Sequence, residues 1–224
     1  MGTLIALEGT DGSGKSTQFG LLCARMEREG RPFRRLVFPR YDNPSSTLLR
    51  MYLHGEFGSR PGDVNAYAAS TFFAVDRYAA WKQDWGEYYL GGGTILSDRY
   101  TTSNAVHQAA KMEPKDWEPF FAWLADFEYG KLGLPRPDLV LWLDMPTDRA
   151  VENLRRRESE THTQGDIHEV DEAYLRSCRS AAQAAAKAYG WRRIDCLDES
   201  GNVRTVEDIH EELWALAWPL LNKI

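Results

Sequence analysis

Nine contiguous residues, Gly9-Thr10-Asp11-Gly12-Ser13-Gly14-Lys15-Ser16-Thr17, can do chemistry together. They read G-x-x-x-x-G-K-S, a loop whose backbone N–H groups curl inward around a polyphosphate. In such a loop the Lys15 ammonium reaches the β- and γ-phosphates, and the Ser16 hydroxyl is a hard oxygen ligand for Mg²⁺. The loop names a nucleoside triphosphate donor but not what receives the phosphoryl group. Candidates for the acceptor side lie further along the chain. Asp98-Arg99 and Asp144 each follow an apolar run, where an aspartate can join the Mg²⁺ shell of a phosphoryl-transfer site. Either aspartate fits. Arg99 can grip a phosphate with two parallel N–H donors, or form only a local ion pair at a helix entry.

Two helical spacings add to this. Phe73 and Arg77 are four apart, so they share one helix face, where a ring and a guanidinium can stack a base and bond its edge. Phe72, Trp81 and Trp85 read instead as core packing. Ser103, Asn104, His107 and Gln108 form a polar stripe, which is more often a solvated face than a site. Arg155-Arg156-Arg157 stand before the polar stretch Glu158 to Gly165. Three arginines at a helix end commonly offset the macrodipole, but here they also suit a lid that closes over the phosphates and excludes water.

These groups need a scaffold, and the chain supplies alternating strand and helix patterns. Short apolar runs at Thr3–Leu7, Phe33–Phe38, Thr94–Ser97, Asp138–Leu143 and Trp191–Cys196 predict five strands. Helical patterns run from Gln18 to Arg28, Val64 to Tyr89, Val170 to Tyr189 and Val206 to Leu221. The alternation implies an α/β fold of the P-loop NTPase kind, a five-stranded parallel sheet with helices on both faces. Ligands in such sheets sit beyond the carboxyl ends of the strands, which is where the candidate residues fall.

With 224 residues the chain suits one catalytic domain, with a lid at about 155–168. A net charge of −6 argues against a nucleic-acid-binding surface. Three separated cysteines fit free thiols in a reducing, cytoplasmic setting. No run approaches the ~20 apolar residues that span a membrane.

Taken in order, the motifs resemble those of the thymidylate kinase family over nearly the whole chain. The matching stretches are Glu8 to Thr17, Phe38-Pro39-Arg40-Tyr41, Phe73 to Arg77, Asp98-Arg99-Tyr100, Ser103-Asn104 and Leu143 to Pro146. The resemblance implies ATP-dependent, Mg²⁺-assisted phosphorylation of dTMP to dTDP by a homodimer. It implies that Phe73 stacks on thymine and Arg77 contacts the base, in a pocket shared with Phe38, Pro39, Ser103, Asn104, His107 and Gln108. Arg40 and Arg99 would hold the monophosphate, Asp11 would meet the sugar 3′-hydroxyl, and Asp98 would help hold Mg²⁺. Lys15, Asp11, Arg99 and a lid arginine such as Arg156 would carry catalysis. His107 stands where family members often carry tyrosine, and no arginine follows Asp11, which leaves the catalytic guanidinium to the lid. Asp166 and Glu169 resemble acids near a second metal site in some bacterial members. Two other activities share the loop. A deoxynucleoside kinase would need a carboxylate base, for which Glu8 is the candidate, and a P-loop ATPase switch would need no acceptor pocket.

Overall fold

The alternation expected from the sequence is borne out in a computed structural model describing residues 1–161 and 172–222. Five strands form one parallel sheet in the order β2-β3-β1-β4-β5. They are β1 (Thr3–Gly9), β2 (Arg34–Val37), β3 (Thr94–Asp98), β4 (Leu139–Asp144) and β5 (Arg192–Asp195). Side chains on β1 alternate between faces, as strand geometry requires. Leu4 and Ala6 enter one core with Trp85, Tyr100, Phe120 and Cys178. Ile5 and Leu7 enter the other with Phe19, Leu22, Met26 and Trp214.

The second core is closed by α1 (Lys15–Arg28) and, later in the chain, by the helix Val206–Leu221. The first is closed by α5 (Thr102–His107), α6 (Trp117–Ala125) and the helix Glu172–Tyr189. Between β2 and β3 run α2 (Thr47–Leu53), α3 (Ala66–Ala80) and α4 (Gly86–Leu90); after β4 come α7 (Thr147–Thr161), α8 (Glu172–Tyr189) and finally α9 (Val206–Leu221).

Two expectations need correction. The single helix expected from Val64 to Tyr89 begins at Ala66, where the Asn65 side chain accepts a hydrogen bond from the Ala68 N–H at 2.8 Å. It is then interrupted by a π-turn at Trp81–Trp85. There the indoles of Trp81 and Trp85 meet edge-on at 4.6 Å, and a Cβ on Gly86 would lie 2.4 Å from the Trp81 carbonyl oxygen. Glycine is required where the wider turn closes. The polar stretch expected as a loop from Glu158 is helical through Thr161, because α7 continues that far. The rest of it, with Asp166 and Glu169, lies outside the described residues.

Parallel register sets the site. Leu7 of β1 is opposite Asp98 of β3, so the chain leaving β1 at Glu8 and Gly9 emerges beside Asp98 and Arg99.

Candidate active site

The phosphate-loop residues bend sharply between β1 and α1. Gly12 and Gly14 have φ of +80° and +85°, a region that disfavours any residue with a Cβ. Gly12 also has no room: a Cβ there would lie 2.1 Å from the Ala150 carbonyl oxygen. The start of α7 thus rests on the loop, and Asn153 Nδ2 donates to the Gly12 carbonyl at 2.8 Å. One turn further, Arg156 and Arg157 line the cleft formed by Thr10 to Thr17. Arg155, exposed on the same helix, is not among the described residues that line it.

Within the cleft Lys15 Nζ donates to Asp98 Oδ1 at 2.8 Å, with both side chains largely buried. Asp144 is arranged differently. Its two oxygens accept from Arg179 Nε and Arg193 Nε, each at 2.7 Å. Of the two aspartates at strand ends, Asp98 is therefore the one that touches the phosphate loop. Ser16 stands exposed at the loop's mouth.

A second cavity opens alongside, lined by Asp11, Phe38, Pro39, Phe73, Arg77, Arg99, Ser103, Asn104, His107 and Gln108, with Tyr41, Leu53, Asp76 and Tyr100. Asp11 lines both cavities and joins them. The polar stripe Asn104–His107–Gln108 is buried, not solvated, and its buried polar groups need partners.

Arg99 is the hub. Its backbone has φ +63°, held by its N–H bonded to the Leu7 carbonyl at 3.0 Å and its own carbonyl accepting from Ser97 Oγ. Its guanidinium donates to Asp11 Oδ1, to Ser103 Oγ at 3.3 Å and to Glu8 Oε1 at 3.4 Å, and it meets His107 Nε2 at 2.9 Å. Burial opposes its charge, but Asp11, Glu8 and Asp98 outweigh that and hold its pKa above the ordinary arginine range. His107 is driven the other way, down to about 3, first by burial and then by the Arg99 charge.

Glu8 is fully buried. Its carboxylate accepts from the Gly9 N–H at 2.9 Å, Thr102 Oγ1 and Ser103 Oγ at 2.7 Å each, and Arg99. Arg77 is clamped as well: its Nε and Nη2 donate to Glu128 Oε2 and Oε1 at 2.7 Å each. Arg40 does not line the second cavity. It folds onto Asp76, donating through its backbone N–H at 2.9 Å and through Nε at 3.2 Å.

The structure therefore gathers every expected acceptor-side residue except Arg40 around one cavity, and Arg40 is bonded to Asp76 of its lining. Sequence reasoning missed Asp76, Glu128, Tyr41 and Leu53. Asp76 lies inside the Phe73 to Arg77 stretch and looked like an ordinary helix charge. Glu128 lies inside an aromatic-rich run, Trp117 to Tyr129, between Phe127 and Tyr129, and an acid flanked by two rings was the available signal.

A family model described as thymidylate kinase matches residues 7–208. The thymidylate kinase of Mycobacterium tuberculosis is 35% identical over 190 residues, covering 84% of this chain and 87% of that one. The human thymidylate kinase is 27% identical over 219 residues, covering 96% of this chain and 90% of that one. The solved thymidylate kinase of Candida albicans superposes with a TM-score of 0.69 at 21% identity, covering 97% of this chain and 92% of that one, a likeness of fold. By the family match and the mycobacterial relative, the chain belongs to the thymidylate kinase family.

Proposed function

We propose that this protein transfers the γ-phosphoryl group of ATP to dTMP, yielding dTDP, as one catalytic unit with a lid from about residue 155. The observation that carries the reading is that a phosphate-loop cleft and a base-sized cavity meet at Asp11. Such transfer needs little covalent chemistry from the protein. It needs the two substrates held in line and the spreading charge met by fixed donors. On the donor side Lys15 and the loop from Gly9 to Thr17 hold the triphosphate. On the acceptor side Arg99 grips the monophosphate, and Asp11, bonded to Arg99, is set to receive the sugar hydroxyl. Phe73 stacks on the base, while Phe38, Pro39, Ser103, Asn104, His107 and Gln108 complete the pocket. Arg40, bonded to Asp76 of the cavity lining, joins once a monophosphate competes for it.

Ser16 and Asp98 offer hard oxygen donors at the loop, and among the described residues no group of three His, Cys, Asp or Glu could hold a metal without the nucleotide's help. Bound with ATP, Mg²⁺ would neutralise charge on the transferring phosphates. Arg156 supplies the further positive charge from α7.

The deoxynucleoside kinase reading asks Glu8 to take a proton from a 5′-hydroxyl. Four donors already occupy its carboxylate, and it lies under the pocket rather than in its lining. The homodimer finds support in α3, which exposes Val75 and Tyr78 three residues apart. A cytoplasmic setting suits the three free, buried cysteines. Initial rates with ATP and a panel of acceptors test the reading. Turnover of dTMP but not thymidine is expected, and turnover of thymidine alone would overturn it.

A further inference from the structure

Glu128 has a bearing on selectivity that neither its position in the sequence nor the family match assigns. It lies in the π-turn Asp126–Lys131 that extends α6, is fully buried, and reaches two residues of the acceptor cavity at once. From one side it takes Arg77 Nε and Nη2, both at 2.7 Å. From the other, its Oε1 takes Asn104 Nδ2 at 2.9 Å. The second hydrogen of the same Nδ2 goes to the Ser70 carbonyl at 3.1 Å.

These contacts leave no freedom in how the two residues present themselves. A guanidinium has five N–H donors in a rigid fork and no acceptor, so with Nε and one Nη2 hydrogen engaged its remaining donors lie on Nη1 and the outer hydrogen of Nη2. The Asn104 amide has two chemically opposite ends. Turned the other way, its oxygen would face both a carboxylate and a carbonyl, two acceptors with no hydrogen between them. Its nitrogen must face Glu128, and the group left for the cavity it lines is the carbonyl oxygen. Next to it Gln108, 1% exposed, carries an Oε1 with no hydrogen-bond partner among the described residues. A buried acceptor without a donor costs free energy until a ligand supplies one.

We propose that Glu128 is a positioning residue that fixes the polarity of the base-reading edge, with Arg77 as donor and Asn104 as acceptor, and so selects 4-keto pyrimidines over 4-amino pyrimidines. The inference rests on the reading of this cavity as the base pocket. A pyrimidine with a C4 carbonyl and an N3–H offers an acceptor beside a donor, the complement of that edge. Cytosine offers a donor and an acceptor in the reverse order, which sets donor against donor and lone pair against lone pair. Sites built this way reject the mismatched analogue strongly, because their own buried groups are left unpaired. Glu128 need touch no substrate to do this.

The test is kcat/KM for dTMP, dUMP and dCMP in the native enzyme and in Glu128→Gln and Glu128→Asp. The native enzyme should use both 4-keto substrates over dCMP; if it uses none of the three, the base-pocket reading fails and not the role of Glu128. In Glu128→Gln the charged acceptor that holds the Asn104 amide is lost and only the Ser70 carbonyl still pins it, so the dTMP-to-dCMP preference should fall at least about tenfold. The dTMP-to-dUMP ratio should stay within about twofold, since both share one edge. General damage to the pocket would not separate these two ratios. Glu128→Asp keeps an acceptor and should raise KM for dTMP while keeping the rejection of dCMP. A folded Glu128→Gln enzyme with an unchanged dTMP-to-dCMP ratio overturns the proposal. Should that variant fail to fold, hydrogen exchange at the Asn104 side-chain amide of the native enzyme decides. Both protons slowed supports the assignment, and two freely exchanging protons overturn it.

Discussion

Arg99 Nη1 and His107 Nε2 meet at 2.9 Å, and only one of them can be the acceptor. Guanidinium has no lone pair available, so Nε2 is unprotonated and the hydrogen of the neutral ring sits on Nδ1. That nitrogen lies 3.7 Å from the Cys178 sulfur, a weak acceptor suited to it. His107 thus reads Arg99 with one nitrogen and the core with the other. Together with Asp11 and Glu8 it holds the guanidinium over the junction of the two cavities.

The first prediction concerns pH. The native pKa of His107 is about 3, against an ordinary 6.5. Between these values the unfolded chain binds a proton that the native ring refuses, so this group lowers stability as pH falls from 6.5 toward 3. Above 6.5 it contributes no slope. Denaturant melts at pH 7 and pH 5 should show the loss in the native enzyme and less of it in His107→Gln. The ¹⁵N imidazole shifts of His107 should stay fixed from pH 5 to 8. A midpoint near 6.5 would show that the ring is not locked.

Phe73 is half-buried, with its edge on Tyr52 at 6.3 Å and its side chain lining the acceptor cavity. Stacking a base on such a ring is worth about 1–3 kcal/mol. Phe73→Ala should therefore raise KM for dTMP about five- to a hundredfold and leave KM for ATP within about twofold. A matching loss on the ATP side would move Phe73 out of the acceptor pocket.

What the sequence disclosed and what it withheld divide by distance along the chain. The phosphate loop is nine contiguous residues, and Phe73 with Arg77 is one helical turn, so local spacing was enough. The parallel sheet followed from alternation alone, and its register then carried Asp98 to the loop. Glu128 was not legible because it reaches Arg77 across 51 residues, through a π-turn that no periodicity announces. Arg40 was expected to hold the monophosphate, and its bonds to Asp76, 36 residues away, were not legible from local spacing. The choice between Asp98 and Asp144 turned on Arg179 and Arg193, which arrive from elements late in the chain.

Gly12 couples the loop to α7, and the coupling can be broken. In Gly12→Ala the φ of +80° costs about 1–2 kcal/mol for an L-residue, and the added Cβ must push Ala150 away. Both α7 and its arginines should shift, and a displacement near 1 Å at the reacting groups costs about a hundredfold in rate. A large fall in kcat with only a modest fall in Tm is expected. Native kcat in this variant would mean that the contact does not position α7.

Lys111 gives a stability signal of the same sign as that of His107, in a higher pH window. Its ammonium lies over the Tyr52 ring at 4.6 Å and donates to the Val64 carbonyl at 3.3 Å. Burial lowers its pKa to about 7 from 10.5. Between these values the unfolded chain binds the extra proton, so raising the pH through this window increases stability, and below about 7 the cost of burying the charge is present in full. Lys111→Met should flatten the rise between pH 7 and 10 in denaturant melts. An unchanged slope would assign it to other groups.

Three adjacent arginines on α7 make the sharpest kinetic contrast. Helical spacing puts Arg156 and Arg157 on the face of Asn153 and Glu160, which lines the phosphate-loop cleft, while Arg155 is not among the residues lining it. An arginine that meets the charge of the transferring phosphoryl group is worth about 10³-fold or more in kcat. Arg156→Ala should therefore lower kcat far more than it raises either KM, since the interaction exists chiefly in the transition state. Arg155→Ala should stay within about twofold of the native rate, as an exposed charge away from the cleft. Single-turnover rates with saturating ATP and dTMP measure this directly. Equal losses in the two variants would mean that the row acts through its summed field, and not through one guanidinium delivered by the helix.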